Sequence, residues 1–173
     1  AYDIAAAELE TAVQEVKDLG ADVYVPEAYQ AIVDSMASAD KQLTVAKSKW
    51  FKTYKKEKAA FVYITTMSAD VKTKTEARKA ELKAETENLL TEVKTLSETN
   101  KSLMAKAPKG KEGRIVLIAI AQDVATIDAE VITVDSLLTN GNLLESNEKI
   151  KTVKDLATKI NVELNEVISK VKK

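Results

Sequence analysis

Two oppositely charged segments contain the residues best suited to bind another molecule. The first, Lys47 to Lys58, reads KSKWFKTYKKEK and surrounds three aromatic residues with six lysines and one glutamate. Lysines neutralise phosphates and aromatic rings stack or insert, so this composition is typical of a surface that binds an anionic polymer or a membrane face. The alternative, which we favour, is that the rings lie in the core while the lysines extend into water. The candidate surface comprises Lys47, Lys49, Trp50, Lys52, Lys55 and Lys56.

The second segment is acidic. Between Arg114 and Lys149 the chain has six acidic residues and no Lys or Arg. Such carboxylates could hold a hard cation or dock a basic partner, and the seven-residue separation of Asp128 and Asp135 places both on one helix face. We favour a solvated face or a salt-bridge partner for Lys47 to Lys58, because the spacings of calcium loops and di-iron sites are missing. The candidate residues are Asp123, Asp128, Glu130 and Asp135.

A third segment, Lys106 to Arg114, reads KAPKGKEGR and superficially suggests a phosphate-binding loop. The Walker spacing and its final Lys-Ser/Thr pair are missing. A glycine-containing helix N-terminus holds an anion only weakly. We therefore predict that this segment is a plain connector.

The composition argues against catalysis. The 173 residues include no Cys and no His, which removes thiolate nucleophiles, disulfides, the commonest general base and the commonest transition-metal ligand. With 26 Lys and Arg against 27 Asp and Glu, the net charge of −1 gives no overall attraction to nucleic acid. We expect no enzyme, no metal or other cofactor and no nucleic-acid partner. Charges interrupt even the most apolar segment, Ile115 to Leu138, so we expect no transmembrane segment.

The apolar pattern of that same segment predicts a buried helix. Large apolar residues recur at alternating steps of three and four, which is the spacing of one helix face. A second, partial stripe lies beside it at Ile118, Ala121, Ala125 and Ile132. The main stripe consists of Leu117, Ile120, Val124, Ile127, Val131, Val134 and Leu138.

Glycine and proline separate further helices from this one. Residues 2–19 and the stretch from Ile150 to Val171 have apolar stripes of the same spacing. Gly20 suits the left-handed position just after the first helix. We expect an extended connector from Ala21 to Val25, because the residue before Pro26 avoids the helical region.

The stretch from 27 to 107 contains neither glycine nor proline. Its apolar spacing shifts after Trp50, which indicates either a turn near Ala46 to Lys49, with Ser48 as an N-cap, or a local unwinding. We favour the turn, followed by one long helix or two. The middle of the stretch offers mainly small apolar residues, so we expect it to be the least covered part of the fold. Those residues are Ala69, Ala77, Ala80 and Ala84, with Val71 and Leu82 as the larger apolar residues.

These patterns predict an all-α fold, namely an elongated antiparallel bundle of four to five helices with one unusually long helix. We predict a single domain over residues 1–173. Two sub-bundles, 1–68 and 69–173, could share the long helix.

One stretch resembles a known kind of protein. Tyr24 to Leu43 and the following SKWFKTYKKEKAA are similar to the helical domains of bacterial periplasmic and lipoprotein-type proteins that often precede an OmpA-like module. Pro26-Glu27, Trp50 and Ala59-Ala60 carry the resemblance, whereas the Gly-Asp at the turn of those domains is missing here. The resemblance implies an extracytoplasmic helical hairpin without known activity, in an envelope protein whose lipidated leader has been removed. A cytoplasmic location is the alternative.

We therefore expect a non-catalytic structural or protein-interaction module of the bacterial cell envelope. Its partner would be another protein or a second copy of this chain. The alternative is a carrier or sensor bundle that holds a small apolar ligand between helices, beside Ile115 to Leu138. Binding of an anionic surface through Lys47 to Lys58 is a third hypothesis.

Overall fold

The computed structural model describes residues 2–48, 54–107 and 110–171, and the regular elements of these ranges are all helices. The prediction of an all-α helical bundle with one unusually long helix is confirmed. The described ranges form six helices, one more than the upper end of the prediction. The helices are α1 (Tyr2–Asp18), α2 (Ala21–Tyr24), α3 (Pro26–Lys47), α4 (Lys55–Lys106), α5 (Lys111–Thr139) and α6 (Leu143–Val171).

The additional helix is the single turn α2. An extended connector was the expectation for Ala21 to Val25, and this prediction is wrong for the first four residues, which are helical with Ala21 buried. Val25 does leave the helical region, at φ −141° and ψ 58°, because Pro26 crowds the residue before it. Gly20 has φ +81°, which confirms its predicted left-handed conformation.

The break expected near Ala46 to Lys49 is present, since α3 ends at Lys47. Ser48 has φ −80° and ψ −11° and closes α3, so its predicted role as an N-cap is wrong. The next described helix, α4, begins at Lys55 and continues for 52 residues without a break. One long helix, not two, therefore follows the break.

The chain forms two compact units, Ala1–Ala80 and Glu81–Lys173, and the boundary between them lies within α4. The first unit contains α1, α2, α3 and the first half of α4. The second contains the rest of α4 with α5 and α6. Each unit has a core of its own.

In the first unit, α1 runs parallel to α4. Lys72 pairs with Glu15 at 3.1 Å, and farther along both helices Lys79 donates to the carbonyl oxygen of Leu19 at 2.8 Å. Lys79 thus places a positive charge at the C-terminal end of α1, where it is favourable. Its Nζ also lies 4.9 Å from the centre of the Tyr24 ring. The core contains Ala5, Leu9, Val16, Ala21, Ile32, Ala39, Phe61, Ile64 and Val71.

In the second unit, α5 runs antiparallel to α4. Lys94 pairs with Asp135 and Lys101 pairs with Asp128, so residue numbers increase along α4 while those of the paired residues decrease along α5. The inner face of α5 is the stripe predicted from the sequence, and Ile127 at its centre is fully buried. The core contains Leu90, Val93, Ile120, Val124, Ile127, Val131, Val134, Ile150, Val153, Ala157, Ile160 and Leu164.

The third helix of this unit, α6, runs parallel to α4. Glu92 pairs with Lys154, and farther along Asn161 donates to Asn100 at 2.9 Å. Since α5 is antiparallel to α4, α6 is antiparallel to α5. The unit is therefore an up-down-up bundle of three helices.

The tight turn between α5 and α6 depends on Gly141, which has φ +81°. The N–H of Asn142 donates to the oxygen of Leu137 at 2.9 Å, and the N–H of Gly141 donates to the oxygen of Leu138 at 3.1 Å. These two bonds form a Schellman motif and use carbonyl groups that the end of a helix leaves without partners. The motif reverses the chain within three residues.

The covered face in the middle of α4 differs from the prediction. The four alanines expected there, Ala69, Ala77, Ala80 and Ala84, are all exposed. Ser68, Thr75 and Thr86 are instead buried, together with larger apolar residues. Their hydroxyls donate to the carbonyls four residues earlier, at 2.9, 2.7 and 2.8 Å respectively. These polar side chains therefore need no partner on another helix when they are buried.

Candidate functional site

The most unusual surface of the described chain is the side of α5 that faces away from the core. The partial stripe noted in the sequence lies on this side and is exposed. Three isoleucines, Ile115, Ile118 and Ile132, are 72%, 60% and 71% exposed. We define the outer stripe of α5 as the residues spaced three and four apart along this side, namely Ile115, Ile118, Gln122, Ala125, Ala129 and Ile132.

The outer stripe carries no charge over most of the length of α5. The residues that border it most closely are also uncharged, and include Ala119, Thr126 and Thr133. A solvent-facing helix side normally carries charged residues opposite its apolar side. Within the described part of the chain, no helix has both the length and the apolarity to cross a bilayer. Because Ile115, Ile118 and Ile132 are exposed, α5 has a second, largely apolar face that its own unit leaves uncovered.

The four acidic candidates lie along the two flanks of this stripe. On one flank, Asp128 and Asp135 both face α4, as their seven-residue spacing predicts. Asp128 accepts a hydrogen bond from Ser97 at 2.8 Å and pairs with Lys101 at 2.9 Å. The structure thus brings these two carboxylates to one side of the helix and gives each a lysine.

The opposite flank carries Asp123 and Glu130. Glu130 lies 2.7 Å from the Nζ of Lys149 on α6. Asp123 is exposed. In the described residues, the basic partners of Asp128, Glu130 and Asp135 thus come from α4 and α6 of the same unit. Pairing with Lys47 to Lys58, part of which lies outside the described residues, stays a prediction.

Lys101 and Asp128 also shift each other's titration. Hydrogen bonds to Glu98 and Asp128 raise the pKa of Lys101. Burial by itself would raise the pKa of Asp128, but the hydrogen bonds from Lys101 and Ser97 and the charge of Lys101 together outweigh it. The pKa of Asp128 therefore lies below its ordinary value. The pair is partly exposed, so it contributes modestly to stability.

The acidic candidates lie in two pairs on opposite flanks of the stripe. Among the described residues, no group of three or more acidic side chains lies close enough to hold a metal ion. The hard-cation hypothesis for this segment therefore has no geometric basis in the described structure.

The basic candidates are described only in part. Lys47 at the end of α3 and Lys55 and Lys56 at the start of α4 are exposed. Lys49, Trp50 and Lys52 lie outside the described residues. Sequence reasoning missed Glu57, which is 6% exposed and has one carboxylate oxygen without a hydrogen-bond partner among the described residues. The anionic-surface hypothesis stays a prediction.

An apolar groove is present in the first unit, between α1, α3 and α4. Its volume is about 430 Å³, and its apolar lining includes Leu9, Val13, Met36, Leu43 and Phe61. This volume lies within the range of small-molecule sites. The predicted ligand site beside α5 is a different place, because α5 belongs to the second unit.

A series of hydrogen-bonded asparagines, which sequence reasoning did not identify, begins at the buried Asn100 and joins α4 to α6 in the second unit. Asn100 is fully buried and donates to the carbonyl oxygen of Ala157 at 2.9 Å, while Asn161 donates to Asn100. Asn165 donates in turn to Asn161 at 3.1 Å. Such polar contacts set the register of packed helices. The sequence signal is an Asn seven residues after Val93, at a position of the seven-residue repeat where an apolar residue is expected.

Comparison with known proteins gives no relative, because no family model, curated protein or solved structure matches this chain.

Proposed function

We propose that the chain is a non-catalytic protein-interaction module that binds its partner along the outer stripe of α5. The observation that carries this proposal is the exposure of Ile115, Ile118 and Ile132 on one uncharged helix side. Exposed apolar patches that are bordered by polar residues mark interaction sites. The absence of Cys and His from the sequence is a further reason to place binding before catalysis.

The geometry of the stripe suits recognition by another helix. Its residues recur at the three- and four-residue steps by which an apolar face is read in helix-to-helix contacts. Ala125 and Ala129 at the centre allow close approach, and the isoleucines supply the large apolar contacts on either side. The acidic flanks give the contact a polar rim.

In-cell photocrosslinking tests this proposal. A photoreactive amino acid at Ile118 should give a covalent adduct with a partner, because that side chain lies in the contact. The matched control is Tyr63 on α4, which is 62% exposed against 60% for Ile118 but lies in the first unit. The proposal fails if position 118 gives no adduct, or no more adduct than position 63.

We also propose a location in the bacterial cell envelope, which rests on the resemblance of Tyr24 to Leu43 and the segment after it to periplasmic helical domains. Fractionation of the native host tests this location. Recovery with the periplasmic or membrane fraction is the expected result. Recovery with cytoplasmic markers would contradict it.

A second function is supported by the groove of the first unit. Its apolar lining and volume of about 430 Å³ would suit a small apolar ligand. Lipids or hydrophobic dyes should then raise the thermal unfolding midpoint, and Val13→Trp, which fills the groove, should abolish the effect. Ile132→Glu is the matched control, since its site lies in the other unit. No shift across a broad ligand panel would exclude this function.

A further inference from the structure

Within the outer stripe of α5, Ile118 and Ile132 are placed symmetrically about Ala125. Ile118 precedes Ala125 by seven residues and Ile132 follows it by seven. An interface between two copies related by a two-fold axis must use one surface that is complementary to itself. If two α5 helices run antiparallel with Ala125 opposite Ala125, then Ile118 of each copy lies opposite Ile132 of the other. Small residues at the axis allow the two helices to approach closely.

The charges at the two ends of the stripe are complementary in the same arrangement. Arg114 lies at the N-terminal end of the stripe, and Asp135, which also pairs with Lys94 at 3.1 Å, lies on one flank at the C-terminal end; both side chains are exposed. With Ala125 on the axis, Arg114 lies opposite Ser136 of the second copy and therefore beside Asp135. The two-fold axis produces this pair of opposite charges twice.

A parallel pair of α5 helices lacks this complementarity. Parallel helices bring opposite flanks together, so Asp123 and Glu130 of one copy would face Asp128 and Asp135 of the other. Like charges across an interface disfavour association. An antiparallel pair brings like flanks together, and these are acidic as well; within each copy Lys149 pairs with Glu130 on one flank, and Lys94 and Lys101 pair with Asp135 and Asp128 on the other. The flank acids therefore do not distinguish the two orientations, and the distinction rests on Arg114, which lies near Asp135 of the second copy only in the antiparallel pair.

The core leaves this face open to a second copy. The contacts of Asp128 and Asp135 place α4 along one flank, and the contact of Glu130 with Lys149 places α6 along the other. The inner residues, such as Ile127, are fully buried on the opposite side. Pairing through the outer stripe therefore requires no change in the three-helix unit.

We propose that the occupant of the outer stripe is a second copy of this chain, with the two α5 helices antiparallel about a two-fold axis at Ala125. The inference rests on the proposed function, because it names the partner for the same surface. The module would then be a homodimer in which each copy covers Ile118 and Ile132 of the other.

Single cysteines test the arrangement cleanly, because the chain has no Cys of its own. Ala125→Cys should form a disulfide-linked dimer under mild oxidation. Ile118→Cys and Ile132→Cys should each stay monomeric alone, because equal positions are separated by about 21 Å along the axis and a disulfide needs Cα atoms within about 7 Å. A mixture of these two variants should crosslink. Ala77→Cys, at an exposed alanine of α4, is the control.

The outcomes separate the alternatives. Self-crosslinking of Ile118→Cys and Ile132→Cys individually would mean a parallel pair, and crosslinking no greater than that of Ala77→Cys would mean no pair; either result overturns the proposal. Analytical ultracentrifugation gives an independent measurement. The unmodified chain should have the mass of a dimer, and Ile132→Glu should raise its dissociation constant at least about 30-fold with unchanged helicity by circular dichroism.

The experiment also distinguishes this inference from the proposed function on which it rests. If the chain is monomeric throughout but a photoreactive group at Ile118 still captures a different protein in cells, the homodimer is wrong and the interaction module stands. If neither occurs, both are wrong. If the chain is dimeric but Ile132→Glu leaves the dissociation constant unchanged, the outer stripe is not the contact and this inference fails.

Discussion

Asn161 of α6 donates a hydrogen bond from Nδ2 to Oδ1 of Asn100 on α4, at 2.9 Å, inside the second unit. Asn100 is fully buried and also donates to the carbonyl oxygen of Ala157. The two bonds use both ends of one amide and join two helices at a single level of the bundle. A shift of α6 by one turn would break both of them, so we infer that Asn100 fixes the register of α6 on α4.

Asn100→Ala should therefore lower the free energy of unfolding by about 2 kcal/mol, because it removes two hydrogen bonds and leaves the Asn161 amide without its acceptor. Asn165→Ala is the matched control, because it removes the exposed side chain that donates to Asn161. It should lower the free energy of unfolding by less than about 0.5 kcal/mol. Urea denaturation of both variants checks the difference. Equal effects would mean that Asn100 has no special role.

Ile127 and Ile132 make a second comparison within one helix. Ile127 is fully buried and Ile132 is 71% exposed. Ile127→Asp should reduce stability by at least about 3 kcal/mol, because it places an unpaired charge in the core. Ile132→Asp should change the stability of the dilute, monomeric chain by less than about 0.5 kcal/mol. A near-native result for Ile127→Asp would contradict the assignment of the inner face.

Thr75→Val should be nearly neutral, within about 0.5 kcal/mol, although Thr75 is fully buried. Its hydroxyl donates to the carbonyl oxygen of Val71 within the same helix, at 2.7 Å. Replacing the hydroxyl by a methyl group therefore leaves no polar group on another helix without its hydrogen bond. Thr75→Leu should instead cost about 1–3 kcal/mol, because the added volume has no space in a packed core. Thermal unfolding of the two variants measures the contrast, which would vanish if this face were not closely packed.

Gly141→Ala should destabilise the second unit by about 1 kcal/mol, because Ala at φ +81° is strained. Gly110→Ala is the control. Gly110 has φ −63°, and a Cβ there would meet no atom within 4 Å. That variant should be neutral or slightly stabilising. Chemical denaturation compares the two, and equal losses would contradict the Schellman turn as the source of the strain.

The pair of Asp128 and Lys101 predicts how stability depends on pH. The pKa of Asp128 is lowered on folding, so its contribution is present above its unfolded pKa of about 3.9 and is lost as the pH falls through the lower folded pKa. The pKa of Lys101 is raised, so its contribution is complete below its unfolded pKa of about 10.4 and is lost as the pH rises through the folded pKa.

Asp128→Asn should therefore make the loss of stability below about pH 4 less steep than in the unmodified chain. At pH 7 it should cost less than about 1 kcal/mol, because the pair is partly exposed. Asp123→Asn, on the same helix but exposed, controls for the change in net charge. Identical acid-side profiles for Asp128→Asn and the unmodified chain would show that the pair does not act in this way.

The helices and their inner faces are predictable because both follow from local spacing. An apolar stripe such as that of Ile120, Val124 and Ile127 favours burial against other helices. Gly141 adopts a positive φ at little cost, which is the conformation that the turn between α5 and α6 requires. The same reasoning was less successful for α4, where it took small residues such as Ala69 and Ala77 as the apolar face and both are exposed. Small residues fit either a core or a surface, and a threonine that bonds to its own helix can be buried without any apolar signal.

Long-range pairing is the part that sequence alone did not determine. The seven-residue spacing of Asp128 and Asp135 placed both carboxylates on one face, but Lys94 and Lys101 became their partners only through the antiparallel arrangement of α4 and α5. The second apolar stripe of α5 was likewise visible in the sequence. Whether Ile118 and Ile132 were core or surface depended on how many helices surround α5, because spacing defines a helix face and only the neighbouring helices determine whether water reaches it.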